Sequence, residues 1–268
     1  MTQFDTHSFD EITTAVTNNI LHISFNRPHK KNAMNLALVN DVITCFDMLE
    51  SSGIRAVVIE GSDGNFCAGG DISDMHLSAL SEQERDHTIW QFNRSFGHMI
   101  TKVKHAPTVV VAVVEGAVLG GGFGLACVAD ITLASDTAFF ALPETGLGVI
   151  PAQIAPFVAM RLGVDQAKRL ALTGEKLNAQ QALQLGLVHQ ISSTTTLGAT
   201  LDDLLSKIKR CAPKANAITK KLLLEVNDQT LEPLLDHAAS QFVQSLSSSE
   251  GVEGTQAFMH KRAPSWYE

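Results

Sequence analysis

Apolar and polar positions alternate along the chain in short blocks that predict its elements. Residues 11–17 and 20–25 are two runs of β-type composition split by Asn18 and Asn19. Asparagine tolerates positive φ, so the pair predicts a tight hairpin. Pro28, in Asn26-Arg27-Pro28, ends the second run, because proline cannot continue a ladder. Over residues 35–49, Leu38, Val39, Val42, Ile43, Phe46 and Leu49 recur at helical spacing. Residues 56–59 and 108–114 are continuous apolar runs, the pattern of strands buried on both faces. Between them, a loop with Gly61, Gly64, Gly69 and Gly70 is followed by Ser81 and Glu84. That pair is spaced as a capping box and opens a long helix reaching about His105. Gly120-Gly121-Gly122 leads into a short predicted helix over 123–128, and strands follow over 131–134 and 138–141. Beyond Gln153 the pattern is mostly helical; Asn178 with Gln181 opens one helix, and 187–191 predicts a last strand.

Residues 192–200 are rich in Ser and Thr and carry no apolar period, which predicts a boundary. The expected organisation is a core over 1–195 and a helical module over 196–268, with helices at 201–208, 216–226, 231–246 and 250–262. Helices with two apolar faces beyond a complete core serve oligomer interfaces. Strands alternating with helices predict an α/β fold with a mainly parallel sheet.

Composition narrows the partners. Of 268 residues, 45% are apolar and 18% charged, as in a globular protein rather than a disordered one. The net charge of −8 argues against a nucleic-acid partner but leaves local positive sites for anionic substrates. Residues 108–129 have membrane-like length, yet contain Glu115 and five glycines, so they predict a buried strand and helix and no membrane partner. Cys45, Cys67, Cys127 and Cys211 form no CxxC, and the ten histidines form no HExxH. No disulfide, zinc or other metal site is expected, and the compartment is read as reducing and cytoplasmic. Asp5, Asp10 and Glu11 precede the first basic side chain, Arg27, a pattern unlike a secretory or transit leader.

The chain has no GxGxxG, GxxxxGK[ST] or GxSxG. Three segments carry chemistry instead. Phe66-Cys67-Ala68-Gly69-Gly70-Asp71-Ile72 runs a buried strand into a glycine turn that lets backbone approach a ligand; the competing reading is a tight turn with Asp71 as a helix N-cap. Glu115-Gly116-Ala117-Val118-Leu119-Gly120-Gly121-Gly122 places three successive glycines before a helix. Bare N–H groups there stabilise anions, while close helix–strand packing is the alternative. Leu142-Pro143-Glu144-Thr145-Gly146 sets one carboxylate in an apolar loop, as a proton-transfer group or an ordinary helix-start acid. Taken together, two glycine turns and one carboxylate make an oxyanion hole with an acid–base group beside it, suited to a thioester carbonyl.

These segments resemble the crotonase (enoyl-CoA hydratase/isomerase) superfamily. The similarity covers essentially the whole chain. It includes Asn26-Arg27-Pro28 with Asn32-Ala33, the three segments above, Ala129-Asp130, Leu172-Thr173-Gly174, Ala182 with Gly186-Leu187-Val188, and Phe258 with Lys261. The resemblance implies a crotonase-type spiral of ββα turns with a C-terminal helical trimerisation module, assembled as a homotrimer or hexamer. It implies that the N–H groups of Ala68 and Gly121 form the oxyanion hole and that Glu144 is the acid–base residue. Coenzyme A is expected near Lys30, Lys31, Ala33 and the loop of Ala68, Gly69, Gly70, Asp71 and Ile72, with Phe258 and Lys261 meeting its adenine or phosphates. No cofactor or metal is implied beyond the coenzyme A thioester that carries the substrate.

One departure shapes the reading. Two-glutamate hydratases of the family carry a first acid just after the GGG-x segment; here Gly124 stands there, and only Glu144 remains. Residues 150–157, Ile-Pro-Ala-Gln-Ile-Ala-Pro-Phe, also replace the usual glycine-rich stretch. This combination resembles the isohexenylglutaconyl-CoA and methylglutaconyl-CoA hydratase branch. Gly124 is expected to leave space where the second carboxylate would stand. The expected activity is hydration of a branched, α,β-unsaturated acyl-CoA; the alternatives are a Δ3,Δ2-enoyl-CoA isomerase and a non-catalytic acyl-CoA-binding trimer. Cys67 and Cys127 are expected as core thiols, His98 and His105 as packing or surface residues, and Asp130 as a structural anchor.

Overall fold

The computed structural model describes residues 2–267 apart from 51, 72 and 74–78. A short helix α1 (Gln3–Thr6) precedes the hairpin of β1 (Ile12–Thr17) and β2 (Ile20–Phe25). Asn18 and Asn19 sit at φ 52° and 61°, the pair of positive values that a two-residue type I′ turn demands. The register runs from Ile12 opposite Phe25 to Thr17 opposite Ile20.

From β2 the sheet continues in parallel through β3 (Ala56–Gly61), β4 (Val109–Val114), β6 (Ile131–Ser135) and β9 (Gln190–Ser192). Its strands feed two cores by strict alternation. Leu21, Ile23, Val57, Ile59, Val110 and Ala112 face the main core, while Ile20, Ala56, Val58, Val111 and Val113 face the other side. The main core is closed by α2 (Leu36–Asp47), α3 (Glu82–Lys104) and α4 (Gly121–Val128). Asn35 caps α2 by accepting from Leu38 N–H at 3.0 Å, and the Ser81–Glu84 box caps α3 in both directions.

The second face is closed by α8 (Leu197–Lys209), whose Leu197, Leu201, Leu205 and Ile208 pack on the sheet. This helix lies on the 196–268 side of the boundary drawn from composition. Its N-terminal turn comes from the Ser/Thr stretch, where hydroxyls of Ser192, Ser193, Thr196 and Thr200 bond one another. The last strand is shorter and later than the expected 187–191. Leu187 and Val188 donate back to Ala182 O at 3.0 and 3.2 Å, closing the end of α7 (Ala179–Gln184) before pairing begins.

Helices α9 (Pro213–Leu224), α10 (Leu231–Ser247) and α11 (Ser249–Met259) follow. Asp130 anchors α9: its Oδ2 accepts from Val110 N–H at 2.8 Å and from Lys220 Nζ at 2.7 Å. Arg55, just before β3, donates to the carbonyls of Lys209, Cys211 and Trp266 and so ties the C-terminal turn to that end of the sheet. Among the described residues no helix is long and apolar enough to cross a membrane.

A second sheet has three strands, β5 (Ala117–Leu119), β7 (Phe139–Ala141) and β8 (Leu177–Asn178), of which β5 and β7 belong to or lead into the candidate segments.

Candidate active site

The three chemical segments are neighbours because they leave three parallel, adjacent stretches of backbone. Cys67 N–H donates to Ala117 O and Leu119 N–H to Cys67 O, both at 2.9 Å, so the residues before the first glycine turn pair with β5. On its other edge β5 pairs in parallel with β7, and Gly120 N–H donates to Ala141 O at 3.0 Å. Gly69-Gly70, Gly120-Gly121 and Pro143-Glu144 therefore emerge side by side at the carboxyl ends. A Cβ on Gly120 would stand 2.8 Å from Glu144 Oε1 and 3.7 Å from Gly69 Cα. Gly120 also has φ 48° and ψ −111°, a conformation that requires glycine.

The amides of these turns differ in availability. Ala68 N–H donates to Lys31 O at 3.0 Å, which corrects its expected role as a free donor. The reason is the preceding turn: Lys31 and Asn32 both take positive φ, and the buried Asn32 side chain clamps that turn to Arg27 N–H and to the carbonyls of Ser62 and Asn65. Met34 N–H donates to Gly69 O and Asp71 N–H to Met34 O, each at 2.8 Å. This parallel bridge turns the N–H of Gly70 towards the opposite, β5 side. Among the described residues the Gly70 amide has no acceptor. In α4, the first N–H with an i−4 acceptor is that of Gly124, and Gly122 N–H faces Cys67 Sγ. Gly121 N–H is left at the positive end of the helix, and a Cβ on Gly121 would meet the Phe96 ring at 3.0 Å.

Glu144 opens a 3-10 turn (Glu144–Leu147) after Pro143. It is half-buried, and its Oε2 is fully buried without a hydrogen-bond partner among the described residues. Burial pushes its carboxyl above the ordinary range, opposed only by its own backbone N–H.

The family described as enoyl-CoA hydratase/isomerase matches residues 15–268. The chain belongs to the enoyl-CoA hydratase/isomerase family. An enoyl-CoA hydratase/isomerase structure from Marinobacter aquaeolei is similar at 45% identity and TM-score 0.92, covering 96% of this chain and 99% of that one. Pseudomonas aeruginosa AtuE is similar at 45% identity and TM-score 0.92, covering 97% and 100%. The enoyl-CoA isomerase/hydratase fer4 of Mycosarcoma maydis is 29% identical over 94% of each chain.

For a member of the enoyl-CoA hydratase/isomerase family, the surroundings of Gly124 are informative. The space expected beside it is filled: a Cβ on Gly124 would meet Ile154 Cγ2 at 2.4 Å and Ile100 Cδ1 at 3.0 Å. Ile154 is 4% exposed and comes from the unusual 150–157 stretch. The missing carboxylate and the altered loop are thus one packing event, and an apolar plug stands where the expected opening was.

The loop expected to hold coenzyme A is braced from within. Buried Arg27 pairs with Glu11 at 3.3 Å and Asp71 at 3.1 Å. Partial burial alone would raise the Asp71 carboxyl, but hydrogen bonds from Ser73 and Arg27 and the charge of Lys30 bring it down to about 2. Asp71 Oδ1 accepts from Ser73 N–H at 3.0 Å, an Asx turn; Ile72 lies outside the described residues. Lys30 Nζ reaches Ser73 Oγ at 3.3 Å, while Lys31 is exposed and Ala33 half-buried beside them. Among the described residues no hydrogen bond or ion pair joins Phe258 or Lys261 to this loop. Phe258 is 86% exposed at the end of α11, which Glu250 holds to the start of α9. Cys67 and Cys127 are buried, and burial pushes the Cys67 thiol up to about 12, so both are inert packing groups. The unspent Gly70 amide and the packing of Ile154 and Phe96 against α4 are visible only in three dimensions, although the unusual 150–157 stretch that holds Ile154 stands out in the sequence.

Proposed function

We propose that this chain is an enoyl-CoA hydratase working with one carboxylate. The observation that carries the reading is the buried, unpartnered Oε2 of Glu144 beside two loops whose amides at Gly70 and Gly121 are unspent. A thioester oxygen between those amides gains hydrogen bonds as negative charge develops, each worth about 3–4 kcal/mol in such holes. Glu144 takes a proton from water as its oxygen bonds to C3. The C2=C3 electrons move to the enolate oxygen, and the carboxyl then returns a proton to C2. One water is added and the base is regenerated, so the reaction requires nothing beyond the coenzyme A thioester itself. The family assignment supports an acyl-CoA substrate. Lys30, Lys31, Ala33 and the loop of Ala68, Gly69, Gly70 and Asp71 form the proposed coenzyme A side of the site.

The Ile154 plug supports the narrower substrate class. With no second acid at Gly124, help in holding water has to come from elsewhere, and a branched, glutaconyl-type acyl group brings a carboxylate of its own. Glu144→Gln is expected to lower kcat for hydration about 10²–10⁴-fold; near-wild-type turnover across a panel of branched and linear enoyl-CoAs would refute the assignment. The single acid also favours a second reading, Δ3,Δ2-isomerisation, in which Glu144 moves one proton between C2 and C4. Incubation of 2-enoyl- and 3-enoyl-CoA in labelled water separates the two: hydration adds the mass of a whole water, isomerisation does not.

A further inference from the structure

Helix α3 contains a glycine, Gly97, deep in its 23-residue span. An interior helix glycine costs about 1 kcal/mol relative to alanine. The room it makes is occupied by polar groups: a Cβ there would lie 2.0 Å from Gln153 Oε1 and 2.5 Å from Arg94 Nη1. Gln153 Nε2 donates to Asn93 Oδ1 at 2.9 Å, and its Oε1 accepts from Arg94 Nη1 at 3.3 Å. Arg94 is half-buried, and among the described residues no carboxylate pairs with it. Arg27, by contrast, meets Glu11 and Asp71, and Lys220 meets Asp130.

This trio lies beside the residues that pack on the start of α4, Phe96 at Gly121 and Ile154 at Gly124. Asn93 lies one helical turn before Phe96, whose ring would touch a Cβ on Gly121 at 3.0 Å. Gln153 directly precedes Ile154, the plug over Gly124. An unneutralised guanidinium, oriented by a neutral amide that is itself pinned, is suited to a bidentate anion.

We propose that Arg94, oriented by Gln153 and Asn93 over Gly97, binds a carboxylate on the acyl group and selects acyl-CoAs that carry a second acid. The inference rests on the acyl-CoA reading above and names the residue behind its substrate class. Arg94 is a specificity residue; proton transfer remains with Glu144.

Binding tests this independently of turnover. Calorimetry with glutaryl-CoA and butyryl-CoA, saturated probes differing in the terminal carboxylate, gives an affinity ratio for each protein. Wild type is expected to favour glutaryl-CoA, and Arg94→Gln to reduce the ratio roughly 30-fold or more, the range for truncating one partner of a buried charge pair. Gln153→Leu, which keeps the cation but removes its support, is expected to reduce the ratio about tenfold and serves if Arg94→Gln does not fold. A wild-type ratio near one overturns the proposal. So does an equal loss of both probes in Arg94→Gln, which would place the guanidinium on coenzyme A phosphate. Loss of hydration with the ratio intact would instead overturn the hydratase reading and leave this one standing.

Discussion

Glu144 carries a conflict between stability and chemistry that pH can expose. Its carboxyl is held above the ordinary value of 4.5 by burial, and Oε2 has no donor among the described residues. A carboxyl with a raised folded-state pKa favours the folded chain most when protonated. That contribution is fully present below the unfolded value and is lost as pH rises through the folded one. Glutamine mimics the protonated form, so Glu144→Gln is expected to melt higher than wild type at pH 7. The gap should close as pH falls below about 4, the ordinary carboxylate range. Thermal melts across pH 3–8 measure it; a gap independent of pH would show that burial of charge is not the cause. Hydration should run the other way. Only the ionised carboxylate can take a proton from water, so kcat/KM should fall on the acid side along a limb centred above the ordinary carboxylate value.

Between elements, the decisive contact is α4 against the loop that starts α5 (Ala155–Leu162), where Ile154 sits on Gly124. Gly124→Ala places a methyl 2.4 Å from Ile154 Cγ2, and overpacking of this kind costs about 1–3 kcal/mol. Ile154→Ala opens a cavity and costs about 2–5 kcal/mol alone. The two should couple: the alanine at 124 fits the space that Ile154→Ala vacates, so the double variant should be more stable than the summed losses by about 1 kcal/mol or more. Denaturant titrations at matched protein concentration give the cycle, and simple additivity would mean that the loop moves away from α4. This contact also marks where sequence reading stopped. The hairpin turn, the Ser81 and Asn178 caps and the alternating strands were legible because each is set by residues close in sequence. That the two glycine turns and Glu144 lie together was anticipated from motif chemistry and the family resemblance, with Ala68 and Gly121 as the expected donors. The choice of Gly70 over Ala68 was not, because it turns on whether a distant carbonyl, that of Lys31, captures the amide. The closed space at Gly124 was missed for the same reason: a glycine says that a side chain is absent, and only packing says what fills its place.

At the scale of the molecule, the two ends of β3 have different neighbours. Its carboxyl end leads to the glycine turn, whereas Arg55 at its amino end holds Trp266 and the close of α8. Six extended residues separate these ends by about 20 Å. Phe258 and Lys261, in the tail tied to the far end, are therefore poorly placed to serve the loop proposed to hold coenzyme A in their own chain. The same tail exposes a large apolar surface: Leu223, Leu231, Phe242, Val243 and Met259 are each at least 64% exposed. Exposed apolar side chains in this number on three successive helices point to an interaction face, and we propose that other copies of the chain cover it in a homotrimer or hexamer. Light scattering is expected to give three or six times 28.8 kDa. Phe242→Glu with Val243→Glu should lower that mass to one chain while leaving each fold intact, because both side chains already face solvent in the single chain. If the tail serves a neighbouring site, the dissociated variant should also bind coenzyme A at least tenfold more weakly. Undiminished affinity in the monomer would return Phe258 and Lys261 to a purely structural role, and a monomeric wild type would remove the interface altogether.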